Sequence, residues 1–396
     1  MNHDKIIVQG FKASAVAAGF KKDNVLDLAL IFSENEATAA GVFTTNKVKA
    51  APVILTQEHI QKGKARAIIA NAGCANACTG TAGLNDARQT ADLVAKQLGV
   101  RSDEVLVAST GVIGTPLDVN AIAETIPGLV RAASSEGIPY AAQAILTTDS
   151  FPKVSHFDGR SGGRSYRILG IAKGAGMIMP NMATMLSFIM SDIRIDSTDL
   201  KGALLSSIET TFNRITVDGD TSTNDMVLVM ANGMARNRAL SEEDYRGFTD
   251  GLKGVMGELS HMIVRDGEGA TNLVNIKIKS AYSADDALNA ARTVANSSLV
   301  KTAFYGQDPN WGRIMGALGR AEIMMKEENV DIWIDDVQIV ANGVGKGVEL
   351  EKRAAEKMAQ KEFTLTIDLH QGNHQDEIIT CDLTPEYITI NANYRT

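Results

Sequence analysis

The stretch Lys173-Gly-Ala-Gly-Met-Ile-Met-Pro-Asn-Met-Ala-Thr-Met-Leu-Ser187 decides how the rest of the chain is read. Gly174, Gly176 and Pro180 are residue types that build a tight, constrained turn. An apolar run of strand type, Met185 to Ile189, follows at once. Thr184 therefore stands at the entry to a buried strand, reached through a constrained loop. If the Ala183–Thr184 bond breaks, Thr184 gains a free α-amino group beside its own hydroxyl, and that amine can act as the base that activates it. The same pattern also fits an ordinary buried strand after a turn.

Breaking a peptide bond at its own threonine needs Oγ1 to attack the preceding carbonyl. An ester forms by N→O acyl shift, and water then hydrolyses it. The resting peptide is too stable for this without backbone strain and a stabilised oxyanion. Ser109-Thr110-Gly111 closes a strand-like run, Val105-Leu-Val-Ala108, and a small residue there lets N–H groups face a cleft. A plain strand-to-loop turn would look the same.

Bulk composition narrows the class. Hydrophobic residues make up 44% and charged residues 22% of 396, which suits a globular chain with a sizeable core. Lys+Arg 39 against Asp+Glu 47 gives a net charge of -8, which argues against nucleic-acid and anionic-membrane partners. Cys74, Cys78 and Cys381 are too few, and odd in number, for a disulfide framework. No apolar run reaches the 18 residues of a membrane span. The start, MNHDKIIVQG, lacks the basic-then-apolar order of a secretory signal. The expected compartment is the cytoplasm.

Strands are expected at Ala65–Asn71, Glu104–Ala108, Tyr166–Ala172, Met185–Ile195, Met226–Ala231, Asn272–Ile278, Val330–Ile334, Phe363–Leu369 and Glu377–Cys381, where β-branched residues recur. Three- and four-residue apolar spacing predicts helices at Asn85–Leu98, Asp118–Ala133, Thr198–Phe212, Glu242–Val264, Ala284–Val294 and Leu350–Ala359. Ser197 and Ser241 are the expected N-caps. Ser161-Gly-Gly163 reads as a turn. The mixture implies α/β layers.

Other clusters look less catalytic. Cys74 and Cys78 have zinc-compatible spacing but no second Cys/His pair nearby, so they read as packed thiols. The six histidines form no metal motif. Asp218-Gly-Asp220 with Asn224-Asp225 lacks the spacing of a calcium loop and reads as turns. Gly306-Gln-Asp-Pro-Asn-Trp-Gly-Arg313 fits a site lining or a structured turn equally. No phosphate-binding loop is present. No metal site and no cofactor is expected.

The segment KGAGMIMPNMATML at 173–186 resembles the processing site of the glutamate N-acetyltransferase/ornithine acetyltransferase family of arginine biosynthesis. Matching segments run from end to end: GFKASAVAAGFKK at 10–22, GVFTTN at 41–46, NAGCANACTG at 71–80, STGVIG at 109–114 and TTDSFPK at 147–153. DGDTSTND at 218–225, DGEGATN at 266–272, GQDPNWGR at 306–313 and NANYRT at 391–396 complete them. The resemblance implies a layered α/β sandwich of the N-terminal-nucleophile type. It implies self-cleavage into an α chain, 1–183, and a β chain, 184–396, intertwined as one unit and assembled as a heterotetramer of two of each.

The activity so implied moves an acetyl group from N2-acetyl-L-ornithine to L-glutamate through an acetyl-Thr184 enzyme. Some family members also take acetyl-CoA, and the motifs do not separate the two classes. The resemblance carries the oxyanion role onto the Thr110 hydroxyl and the Gly111 N–H. It carries substrate contact onto Thr147, Lys173, Thr184, Glu268, Asn391 and Thr396. Lys173 suits an α-carboxylate and Glu268 the ornithine ammonium; a mutual or surface ion pair is the alternative for both. The terminal residues 391–396 are expected to dock into the active site. Two rival functions remain: an amidase or aminopeptidase of the same design, using water as acceptor, and a silent amino-acid-binding protein.

Overall fold

The computed structural model describes residues 7–22, 24–179 and 185–393. The junction Ala183–Thr184, Pro180 and the terminal Thr396 lie outside them. The described chain forms two compact units. One runs through Asn213 and resumes over Asp220–Ile263; the other comprises Arg214–Gly219 and the chain from Val264 onward. Each is a sheet covered by helices, so the expected α/β layering holds.

In the first unit the chain passes through β1 (Phe11–Val16), β2 (Leu28–Phe43), α1 (Ala51–His59), β3 (Lys64–Cys74), α2 (Gly80–Leu98), β4 (Val105–Val112), α3 (Val119–Ala132) and α4 (Ile138–Ala144). It continues with β5 (Lys153–Ser161), β6 (Arg164–Lys173), β7 (Leu186–Ser191), α5 (Ser197–Glu209), β8 (Met226–Ala231) and α6 (Glu242–Arg265). The sheet order is β4-β3-β2-β8-β7-β6-β5, with β1 also on β2. β3/β4 and β7/β8 are parallel pairs; the others are antiparallel.

Strand alternation divides the apolar residues between two cores. Leu28, Leu30, Ala67, Ile69, Val105 and Val107 meet α2 and α3 through Val94, Ile122 and Leu129. Their sequence neighbours Ala29, Ile31, Ile68, Ala70, Leu106 and Ala108 face the opposite core, which also holds Phe188, Leu228 and helix α4. Period-two pointing of side chains along a strand is the cause. Each fully buried Leu or Ile contributes about 1.5–3 kcal/mol by leaving water.

The second unit holds β9 (Leu273–Ala281), α7 (Ala284–Ala295), α8 (Ser298–Tyr305), α9 (Trp311–Leu318), β10 (Asp331–Ile334), β11 (Val337–Ala341), β12 (Val344–Gly345), α10 (Val348–Met358), β13 (Glu362–Asp368), β14 (His374–Cys381) and α11 (Pro385–Asn393). Its sheet order is β12-β11-β10-β13-β9-β14. Ala287, Ala290, Ala291 and Val294 of α7 pack on Val274, Ile276 and Ile278 of β9. Small residues on α7 let helix and sheet approach closely.

Several expectations are corrected. The strand expected over Met185–Ile195 ends at Ser191, because Ser191–Ile193 turns to bring Ile193 O to Gly233 N. The cap of α5 is Asp196, not Ser197: its carboxylate accepts from Asp199 N at 2.9 Å. Ser241 does cap α6; its hydroxyl accepts from Asp244 N, and the Asp244 carboxylate accepts from Ser241 in return. Cys74 is buried as expected, but Cys78 is exposed. The segment 306–313 opens α9, where Asn310 accepts from Arg313 N and Trp311 Nε1 donates to Glu351. No helix among the described residues is long and apolar enough to cross a membrane.

Candidate active site

Four expected site residues meet in the first unit. Thr110 and Gly111 lie near the end of β4, opposite Ala72 and Gly73 of β3. Gly111 has φ +129, and a Cβ there would lie 2.4 Å from Gly73 C. Only glycine fits there. The motif NAGCANACTG supports the strand end: Ser109 Oγ donates to Asn71 Oδ1 at 2.5 Å, and Asn71 Nδ2 donates to Cys74 O. Asn224 Nδ2 donates to both Ala75 O (2.6 Å) and Ser109 O (2.8 Å), binding the loop 218–225 to the same strand end.

Lys173 is the last residue of β6 and its side chain is almost buried. Its Nζ donates to Thr147 Oγ1 at 2.7 Å and to Thr110 Oγ1 at 3.4 Å. Asp149 Oδ2 lies 3.8 Å away. So the ion partner that the described residues give Lys173 is Asp149.

Asp149 is a residue the sequence reading passed over. Its side chain has no exposed area, and neither does that of Lys153, whose Nζ donates to it at 2.8 Å. The carboxylate also accepts from Gly174 N at 2.6 Å and Thr147 N at 3.0 Å. Burial by itself would raise the Asp149 carboxyl; the Lys173 and Lys153 ammoniums and the bonds from Lys153 and Gly174 override it and hold it at about 2. The available signal was the motif TTDSFPK, which places a carboxylate between Thr147 and Lys153.

Asp225 was expected in a turn. It is instead 3% exposed, and its Oδ2 has no hydrogen-bond partner. Burial pushes its carboxyl well above the ordinary range; Ser222 and the Lys173 charge only partly offset this. Lys21 is driven the other way. Burial lowers its ammonium, Asp27 opposes that, and the Lys173 charge lowers it further, while Nζ donates to Leu26 O and Ala144 O.

The loop before the junction is held at both ends. Gly174 N bonds Asp149, while Ile178 bridges Thr221 and Thr221 Oγ1 donates to Met179 O at 3.1 Å. Beyond the junction, Met226 N donates to Met185 O at 2.9 Å. GVFTTN anchors the supporting loop, with Thr44 Oγ1 donating to Ser222 O and Asn46 Nδ2 to Thr221 O, both at 2.8 Å.

Glu268 and Asn391 pair within the second unit, Asn391 Nδ2 donating to Glu268 Oε2 at 2.7 Å. Asn391 sits on α11, a helix absent from the sequence expectation. Thr384 Oγ1 starts it, accepting from Tyr387 N and donating to Gly269 O. Gly269 has φ +69, and a Cβ there would meet Tyr387 N at 2.7 Å, so α11 rests on a glycine that must stay bare.

The chain matches the model of the ArgJ family over residues 12–396. It is 50% identical over 391 residues to the arginine biosynthesis bifunctional protein ArgJ of Geobacter sulfurreducens, covering 98% of this chain and 100% of that protein. The namesake from Desulfotalea psychrophila is 48% identical over 393 residues, covering 98% and 99%. Among solved structures, the bifunctional protein ArgJ of Bacillus halodurans aligns with a TM-score of 0.51 at 42% identity, covering 53% of this chain and 100% of that one. A family match across nearly all of a chain that also shares half its residues with full-length relatives leaves one assignment: the chain belongs to the ArgJ family.

Proposed function

We propose that this protein is a self-processing acetyltransferase of arginine biosynthesis. Thr184 Oγ1 attacks the Ala183 carbonyl; this N→O shift breaks the peptide bond and frees the Thr184 amine, and hydrolysis of the resulting ester then frees the Thr184 hydroxyl and the Ala183 carboxylate. In turnover that amine takes the hydroxyl proton as Thr184 attacks the acetyl carbonyl of N2-acetylornithine. The oxyanion is met by the Thr110 hydroxyl and the Gly111 N–H. Ornithine leaves with the proton, and the acetyl-threonine ester is attacked by the amino group of glutamate. The products are N-acetylglutamate and free Thr184.

The observation that carries this reading is the Lys173 ammonium, held between the Thr110 and Thr147 hydroxyls at the end of β4. A buried ammonium next to the expected oxyanion donors suits an α-carboxylate, which supports this reading. Glu268 takes the ornithine ammonium, and Asn391 and Thr396 belong to the same substrate-contacting set. The relatives are called bifunctional, which supports a second activity; the reading gives that to acetyl-CoA as an additional donor. The two-α, two-β assembly and the cytoplasmic compartment belong to the same reading.

The test is an intact mass under denaturing conditions, for the native protein and for Thr184→Ala. Two fragments dividing at 183/184 are expected from the first and one uncut chain from the second. Acetylornithine consumption should then depend on glutamate. Consumption without it would replace the transferase by a hydrolase, and an uncut native chain would remove the nucleophile.

A further inference from the structure

Two buried ammoniums share one buried carboxylate beside the candidate site, and this arrangement has a consequence for substrate binding. Lys153 Nζ touches Asp149 Oδ1 at 2.8 Å and lies 4.9 Å from the centre of the Phe151 ring, with both charged side chains fully enclosed. A buried carboxylate that met Lys173 alone would draw that ammonium onto itself, since opposite charges attract strongly where water is excluded. Instead Lys173 stands 3.8 Å off and spends its short hydrogen bond on Thr147. The same Asp149 also fixes the backbone N–H of Thr147, the acceptor in that bond, and of Gly174, the residue after the donor Lys173.

We propose that Asp149 and Lys153 form a positioning pair. Asp149 fixes Lys173 between Thr147 and Thr110, and Lys153 neutralises Asp149 so that Lys173 keeps its charge for the carboxylate of an amino-acid substrate. This rests on the function proposed above. Neither residue touches the substrate; both act through Lys173.

Three variants separate this role from plain stabilisation: Lys153→Met, Asp149→Asn, and the two combined. Removing Lys153 alone turns the Asp149 charge onto Lys173. The expected result is a KM raised about tenfold for both acetylornithine and glutamate, the scale of one charge-assisted hydrogen bond. The kcat per processed site should stay within about twofold, since the attacking atoms do not move. Asp149→Asn strands two buried ammoniums and should lower both the Tm and the processed fraction. The double variant restores the charge balance but not the carboxylate that fixes Lys173, so its KM should lie between those of the native protein and Lys153→Met.

An unchanged KM in all three, with only Tm altered, would overturn the proposal and leave a structural ion pair. So would a double variant no better than Lys153→Met. If the native protein never transfers acetyl, the proposed function fails by itself. Glutamate affinity by calorimetry then reads the same four proteins, with the same ordering expected. A native protein that neither transfers acetyl nor binds glutamate would overturn both.

Discussion

At the scale of single residues, charge and backbone constraint set the site. Gly111→Ala must relax φ +129 and move a Cβ 2.4 Å from the Gly73 carbonyl carbon. On the proposed oxyanion role of the Gly111 N–H, either shift should lower kcat on the processed fraction by about 100-fold or more, the scale of a lost oxyanion donor. Asp149 and Asp225 give opposite pH dependences. The Asp149 carboxyl, held at about 2, contributes about 2 kcal/mol of stability above pH 3.8, lost as pH falls through 2. The Asp225 carboxyl is raised, so its contribution is fully present below pH 3.8 and declines as pH rises. Asp225→Asn keeps the neutral form at every pH. Its Tm should match native near pH 4 and exceed it progressively towards pH 8; parallel Tm curves would show that Asp225 does not titrate as its burial requires.

At the scale of elements, caps and turns were mostly legible and long-range pairing was not. Met226–Ala231 is the strand its six apolar residues announce, and Ser161-Gly-Gly163 turns β5 into β6 with φ of +54 and +81 at the two glycines. Asp118 accepts from Asn120 N and Ala121 N at the start of α3. Asp118→Ala should therefore cost about 1 kcal/mol in denaturant unfolding, with activity unchanged. β2 escaped notice because Glu34-Asn-Glu36 interrupts its apolar pattern. Those three residues are exposed at the irregularity between Phe32 and Ala37, where the strand passes from β3 towards β8. α11 escaped because β-branched Ile388, Thr389 and Ile390 favour strands; its anchor is Gly269, over a hundred residues away.

At the scale of the molecule, the expected cleavage point is not a boundary between compact units. β1 to β6 precede Thr184, while β7 and β8 follow it within the same sheet. A cut there should leave both pieces joined by β6/β7 and β2/β8 hydrogen bonds. Native mass spectrometry of the processed protein should find the fragments associated. The proposed docking of the residues 391–396 belongs to this scale too. Deleting residues 391–396 removes Asn391, which holds Glu268. Turnover should drop sharply while cleavage at 183/184 proceeds; unchanged kinetics would sever the tail from the site.

The sequence by itself determined the α/β class and most of the strongly periodic helices and strands, and it named the residues proposed for the site. Those depend on local pattern: side-chain period, turn chemistry and short motifs. Only the tertiary structure decided that Lys153 and Asp149 are a sealed pair, that Asp225 is buried with an unpartnered oxygen, and that Lys173 answers to Asp149. A charged residue looks the same in sequence whether water or protein surrounds it. Its burial is fixed by strands that pair across the chain, and that desolvation sets its charge, its partners and its use.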